Sequence, residues 1–288
     1  MTPWTDRTGK VSLLKSAVLL ALCLPALMIL YNLVAGPPVA RPAIEVNHQA
    51  GLWSVRLVMV ALAITPLRHI VKWPRLITVR RMIGVAAALY LALHFLAYVV
   101  DKGFDLATVL TEIVQRIYLM IGFAGLMIMT ALAVTSSDGM IRRLGAKRWQ
   151  RLHKLIYLLG LLAILHYFLQ MKLNVAQPTV FFGLLLWLMG YRLIFWRGGV
   201  TWATAIIPLL LLSLAAALLT GFGEALYFNL HRGIPVARIL NANLSFARGP
   251  RPGWIVLFFG LGATGLAIGR RIWDAVVPVR AAAARVPR

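Results

Sequence analysis

Eight separate stretches of this chain are long and apolar enough to cross a bilayer as helices, and no other feature limits its fold so strongly. They lie at residues 13–35, 51–67, 82–100, 113–134, 152–171, 176–196, 201–220 and 254–272. A crossing needs about 20 mostly apolar residues, and in hydrocarbon every backbone N–H and C=O must be paired within the structure, which favours helices. The expectation is therefore an all-α polytopic membrane bundle. The second stretch is short and carries Arg56. The first follows Arg7, Lys10 and Lys15 in the manner of a signal peptide, but it is too long for one and reads as a retained anchor.

Composition excludes several other classes. Apolar residues make up 61% of the chain and charged residues 13%, against about 25% charged in soluble domains. The formal net charge of +22 does not point to nucleic acid, because the Lys and Arg lie between the apolar runs instead of clustering on a soluble fold or arm. Cys23 is the only cysteine. Disulfides within the chain, four-cysteine iron–sulfur sites and covalent haem attachment through C-x-x-C-H are thereby excluded. A bound metal would have to be held by histidine.

The distribution of Lys and Arg predicts orientation. One side collects the N-terminal cations; Arg68, Lys72, Arg75, Arg80 and Arg81; Arg142, Arg143, Lys147, Arg148, Arg151 and Lys154; Arg192 and Arg197; and the tail cations Arg270, Arg271, Arg280, Arg285 and Arg288. The other holds Arg41, Lys102, Arg116, Lys172, Arg232, Arg238, Arg248 and Arg251. The first side is expected to be cytoplasmic, with both termini on it, so the third and fifth spans both run outward.

That direction gives the histidines depths. His94 comes late in span three and His166 late in span five, so the two fall at similar height and can face each other. His153 opens span five, 13 residues before His166, or about 20 Å along a helix. Neutral imidazoles are good axial ligands for haem iron, and paired histidines from two helices can clamp a porphyrin. One helix could then serve two stacked sites, forming an electron wire. The competing reading is that each histidine bonds a neighbouring carbonyl. On a straight helix, His153 and His166 would also point about 140° apart. Either the helix bends or two haems approach from different flanks. A proton relay is disfavoured because all eight acidic residues are expected at span ends or in loops. The glycines within spans are read as helix-packing positions.

Three segments carry a family resemblance: NHQAGLWSVRLVMVALAITPLR (47–68), VRRMIGVAAALYLALHFLAY (79–98) and LGAKRWQRLHKLIYLLGLLAILHYF (144–168). Together they resemble the haem-binding membrane subunits of bacterial periplasmic methionine-sulfoxide reductase systems, the MsrQ or YedZ family, over residues 10 to 196. The most specific segment is the third, L-G-x-x-R-W-x-x-L-H followed by H-Y. The resemblance implies a six-helix domain like that of ferric reductases and NADPH oxidases at residues 1–196, with about two further spans at 197–288. It also implies b-type haem held by His94, His153 and His166. Electrons would come from a cytoplasmic flavin reductase or the quinol pool, with FMN a further cofactor, and leave to the periplasmic molybdopterin enzyme MsrP, which repairs oxidised methionine. The implied setting is the bacterial inner membrane.

One position departs from the oxidase pattern, in which each of the two helices carries two histidines. About four turns before His94, where the inner histidine of span three should stand, the chain has Arg80. A guanidinium has no lone pair for iron, so Arg80 is expected to pair with a haem propionate or a flavin phosphate. His69 is then either the missing inner ligand or a solvated loop residue. Arg56 either snorkels to the interface or pairs with an outer-haem propionate. His48, just before span two, is read as interfacial or haem-linked. Trp73 and Trp149 fit an aromatic belt. Residues 221–253 are either a docking surface for an acidic partner or a connector. Two rival functions stand beside membrane electron transfer. A self-contained ferric reductase or oxidase would need a flavin and nicotinamide domain, for which the stretch after residue 272 is too short; the other rival is a non-redox transporter.

Overall fold

A computed structural model of the chain describes residues 4–5, 9–171, 174–247 and 249–277. Arg7, Lys172, Arg248, Arg280, Arg285 and Arg288, used above to argue orientation, lie outside the described residues. Among the described residues there are twelve α-helices: α1 Leu13–Ala35, α2 Pro42–Ile70, α3 Ile77–Asp101, α4 Leu106–Gln115, α5 Ile117–Val134, α6 Asp138–Leu144, α7 Ala146–His153, α8 Leu155–Gln170, α9 Ala176–Ala203, α10 Ile206–Arg232, α11 Val236–Asn243 and α12 Pro252–Val276. Eight stretches are long and apolar enough to cross a membrane, with α7 and α8 together forming one of them. The chain is a polytopic helical membrane protein, as expected.

The helices overrun their apolar windows because a formed helix propagates through polar residues at little cost, whereas starting one is costly. Three residues change setting as a result. His48 lies inside α2 instead of before it, Arg56 is near the middle of that helix, and His69 is in its last turn instead of in a loop. The expected span 113–134 is divided at Arg116, whose extended backbone (φ −111°, ψ 110°) separates α4 from α5. Asp105 caps α4 by accepting from the Thr108 N–H at 3.0 Å, which satisfies one of the unpaired donors at a helix start. Lys154 interrupts the fifth span. It bonds back to Arg151 at 3.2 Å, and Tyr157 bonds back to Lys154 at 3.1 Å. These i to i+3 bonds make a tighter turn at the junction of α7 and α8, just after His153.

The described residues form two compact units, one of residues 1–64 and 75–181, the other of 65–74 and 182–288. In the first, α5 packs along α8 and against α3, and α1 packs against α3. Lipid tails are as apolar as leucine, so close approach of small residues and hydrogen bonds hold such helices together. Ala50 and Ala87 are both fully buried, and Ser54 donates to the Ala87 carbonyl at 3.0 Å. A further tie comes from Tyr90 of α3. Its hydroxyl donates to the Leu22 carbonyl at 2.7 Å and accepts from the Ala26 N–H at 2.9 Å. Those two groups would bond each other in an unbroken helix; Pro25 bends α1 there, and the phenol completes the ladder.

In the second unit α10 packs against α11 and α12. Trp187 is buried and donates to Ser213 Oγ at 3.1 Å. One expectation fails here. Glu224 is neither at a span end nor in a loop: α10 runs on to Arg232, and Glu224 within it is only 2% exposed. Arg251 stands 3.3 Å from its carboxylate, supplying the charge partner without which burial of an ion is costly.

Candidate functional site

The first unit contains a cavity of 570 Å³ whose wall includes His94 of α3 and His166 of α8, together with aliphatic and aromatic side chains such as Leu52, Leu91, Phe95 and Leu126. That volume falls within the roughly 300–1,000 Å³ of small-molecule and cofactor pockets. The two imidazole centroids are 6.3 Å apart with planes inclined at 83°.

The hydrogen bonds fix which nitrogen of each ring is available. His94 Nδ1 is 2.8 Å from the Asn47 carbonyl, and His166 Nδ1 is 2.7 Å from the Tyr118 carbonyl. A carbonyl can only accept, so both Nδ1 atoms carry the proton and donate it, leaving the lone pair of a neutral ring on Nε2. Carbonyl-anchored imidazoles of this kind are typical of metal ligands, because the bond orients the ring and raises its basicity.

The spacing fits a shared metal. An imidazole nitrogen bonds a first-row metal at about 2.0–2.1 Å and its centroid lies about 1.1 Å further on, so rings on opposite sides of one ion have centroids about 6.3 Å apart. Among the described residues, no group of three or more His, Cys, Asp or Glu could hold a metal ion. Two imidazoles in an apolar cavity therefore suit a metal that brings its own in-plane ligands, as haem iron does.

The other sequence candidates are distributed as follows. His48 lines the same cavity and is exposed. Arg56 does not line it, and its guanidinium lies 4.7 Å over the Trp53 ring, a cation–π contact that offsets part of the cost of a charge within a span. His153 is at the far end of the α7–α8 segment. Its Nδ1 donates to the Trp149 carbonyl at 3.1 Å, and its ring stacks on the Trp149 indole at 4.0 Å. His153 Nε2 is 3.4 Å from Ser136 Oγ, whose single proton goes to the Leu132 carbonyl at 2.7 Å. Arg80 is exposed near the start of α3, and its charge reaches His153.

His69, in the second unit, is differently engaged. Arg68 Nε donates to His69 Nε2 at 3.2 Å, which occupies the lone pair a metal would need. The Tyr191 hydroxyl is 3.4 Å from Nδ1, and Phe195 stacks on the ring at 4.9 Å. Sequence reasoning missed two site residues. Asn47 anchors His94 through backbone and side chain alike, a pairing that lies 47 residues apart in sequence. Trp149, besides fitting an aromatic belt, donates to the Thr135 carbonyl at 2.9 Å and forms the stacking surface for His153.

Comparison with known proteins identifies the family. Residues 50–164 match the family of ferric reductase like transmembrane components. The protein-methionine-sulfoxide reductase heme-binding subunit MsrQ of Rhodospirillum rubrum is 37% identical over 66% of this chain and 89% of its own length. The MsrQ of Xanthomonas campestris pv. campestris is 42% identical over 53% of this chain and 70% of its own. The MsrQ of Caulobacter vibrioides is 37% identical over 65% and 89%. No solved structure matches the chain.

Proposed function

The chain belongs to the MsrQ family of heme-binding subunits of protein-methionine-sulfoxide reductase, and on that premise we propose that it is a membrane cytochrome b that carries electrons to a periplasmic reductase. One observation carries the reading: two imidazoles on α3 and α8, both with Nδ1 tied to a carbonyl, stand 6.3 Å apart across an apolar cavity.

In this reading His94 and His166 hold a b-type haem, which supplies one-electron transfer. The Asn47 and Tyr118 carbonyls keep both rings in the Nδ1–H tautomer and strengthen Nε2 as a donor, while the apolar wall limits water. Electrons pass to the molybdopterin enzyme MsrP, which repairs oxidised methionine in proteins. They enter from a cytoplasmic flavin reductase or the quinol pool, with FMN as the bridging cofactor where a flavin is used. Arg142, Arg143, Lys147, Arg148 and Arg151 are exposed on α6 and α7 beside His153 and suit an anionic donor. His153 is the metal ligand of a second, inner site, with Arg80 as an anion partner there, and His48, which lines the cavity, serves the outer one. Residues 1–196 make the haem domain and 197–288 an added pair of spans, in the inner membrane with both termini cytoplasmic.

A reduced-minus-oxidised absorbance spectrum of the purified full-length protein tests the proposal. Sharp b-type bands that weaken in His94→Ala support it. A preparation reconstituted with haem that shows no such bands overturns it.

A further inference from the structure

The two imidazoles rest against their neighbouring helices in the same way. On α2, Asn47 is followed four residues later by Gly51; on α5, Tyr118 is followed four residues later by Gly122. A Cβ built on Gly51 would stand 2.7 Å from His94 Nδ1, and one built on Gly122 would stand 2.8 Å from His166 Nδ1. Each ring therefore occupies the space of an absent side chain, and its Nδ1 bonds the carbonyl one turn earlier, at 2.8 Å for Asn47 and 2.7 Å for Tyr118.

The repetition has a mechanical cause. Helical side chains lean toward the N-terminus and cover the turn before their own Cα. A residue with a side chain thus shields the carbonyl four positions back, and a glycine uncovers it. That carbonyl has two lone pairs, so it can take a side-chain proton in addition to its helical bond.

We propose that Asn47-x-x-x-Gly51 and Tyr118-x-x-x-Gly122 are paired carbonyl notches, positioning elements that fix the tautomer and plane of the His94 and His166 rings and hold the two planes near perpendicular. The inference rests on the haem reading above and extends it from which residues bind to how their orientation is set. The notch matters because an imidazole donates π density only along the normal to its plane. Perpendicular rings donate into different d orbitals of a ferric iron and keep them nearly equal in energy, which gives a strongly anisotropic low-spin electron paramagnetic resonance signal. Rings turned toward parallel split those orbitals and give a rhombic signal. A methyl group in either notch must turn or displace its ring.

The test uses the full-length, haem-loaded protein with Gly51→Ala, Gly122→Ala and Gly265→Ala. The last is a control on α12, away from the cavity lining, where a Cβ meets nothing within 4 Å. The expected result is a strongly anisotropic low-spin signal in the parent and in Gly265→Ala. Gly51→Ala and Gly122→Ala should each lose that feature, either to a rhombic signal with haem retained or together with the haem. Should one variant fail to fold, the other tests the same statement on a different helix. The proposal is overturned if both notch variants keep the parent signal at full haem content, or if the parent signal is already rhombic. A parent with no low-spin haem signal would instead refute the bis-histidine reading, so the two failures are distinguishable.

Discussion

Asn47 and His94 exchange hydrogen bonds: the Asn47 amide donates to the His94 carbonyl at 2.8 Å, and the His94 ring donates to the Asn47 carbonyl at 2.8 Å. The first bond depends on the side chain and the second does not. Asn47→Ala should therefore weaken the α2–α3 contact by about 1 kcal/mol while leaving the ring anchored. Haem should be released at lower temperature in a melt followed by absorbance, with the low-spin spectrum before melting unchanged. A spectral change at low temperature would contradict this division of roles.

Because His94 and His166 face one another at 6.3 Å, His94→Ala and His166→Ala should remove the same haem. His153→Ala, altered at the far end of the α7–α8 segment, should leave that haem in place. Redox titration of the three variants checks this; loss of different components in the first two would refute the pairing.

Tyr90→Phe removes the hydroxyl that bridges Leu22 and Ala26. It leaves an N–H and a C=O without partners inside a membrane helix, at a cost of about 1–3 kcal/mol. Amide exchange around residues 22–29 should rise in detergent, while the haem spectrum stays as in the parent. Unchanged exchange would show that the bond does not hold α1 to α3.

Glu112 accepts from Lys102 and Tyr98 at 2.6 Å each and from Arg116 at 3.3 Å. The Lys102 ammonium first, and then the Tyr98 hydroxyl, hold its carboxyl below the usual range. A carboxyl lowered on folding adds stability that is fully present above its unfolded value and is lost as pH falls through its folded value. Acidification below the ordinary Glu range, about pH 4.3, should therefore loosen α4 and raise proteolysis between residues 102 and 116. Glu112→Gln should abolish the pH dependence of that cleavage; persistence of the dependence would assign it to another group.

The exposed cations on α6 and α7 give a prediction about electron entry. Replacing Arg142, Arg143 and Arg148 with Gln should slow haem reduction by a flavin reductase and flatten its salt dependence, because screened long-range attraction is lost. Stopped-flow reduction across ionic strengths measures both. Unchanged kinetics at full haem content would place entry elsewhere.

Much of this protein is written in the order of its residues. Lipid enforces helix over every long apolar run, so eight spans follow from hydropathy, and fixed helical rise sets the heights of His94, His153 and His166. The sole cysteine rules out multi-cysteine metal sites. Boundaries were less legible because helices do not stop where hydropathy does, and that error misplaced His48, His69 and Glu224. Tertiary structure decided what periodicity cannot carry: which nitrogen of His94 and of His166 is free, and that these rings fill the space beside Gly51 and Gly122 on other helices. These hydrogen bonds and filled spaces join residues more than 40 positions apart in the chain, so they exist only once the helices have packed.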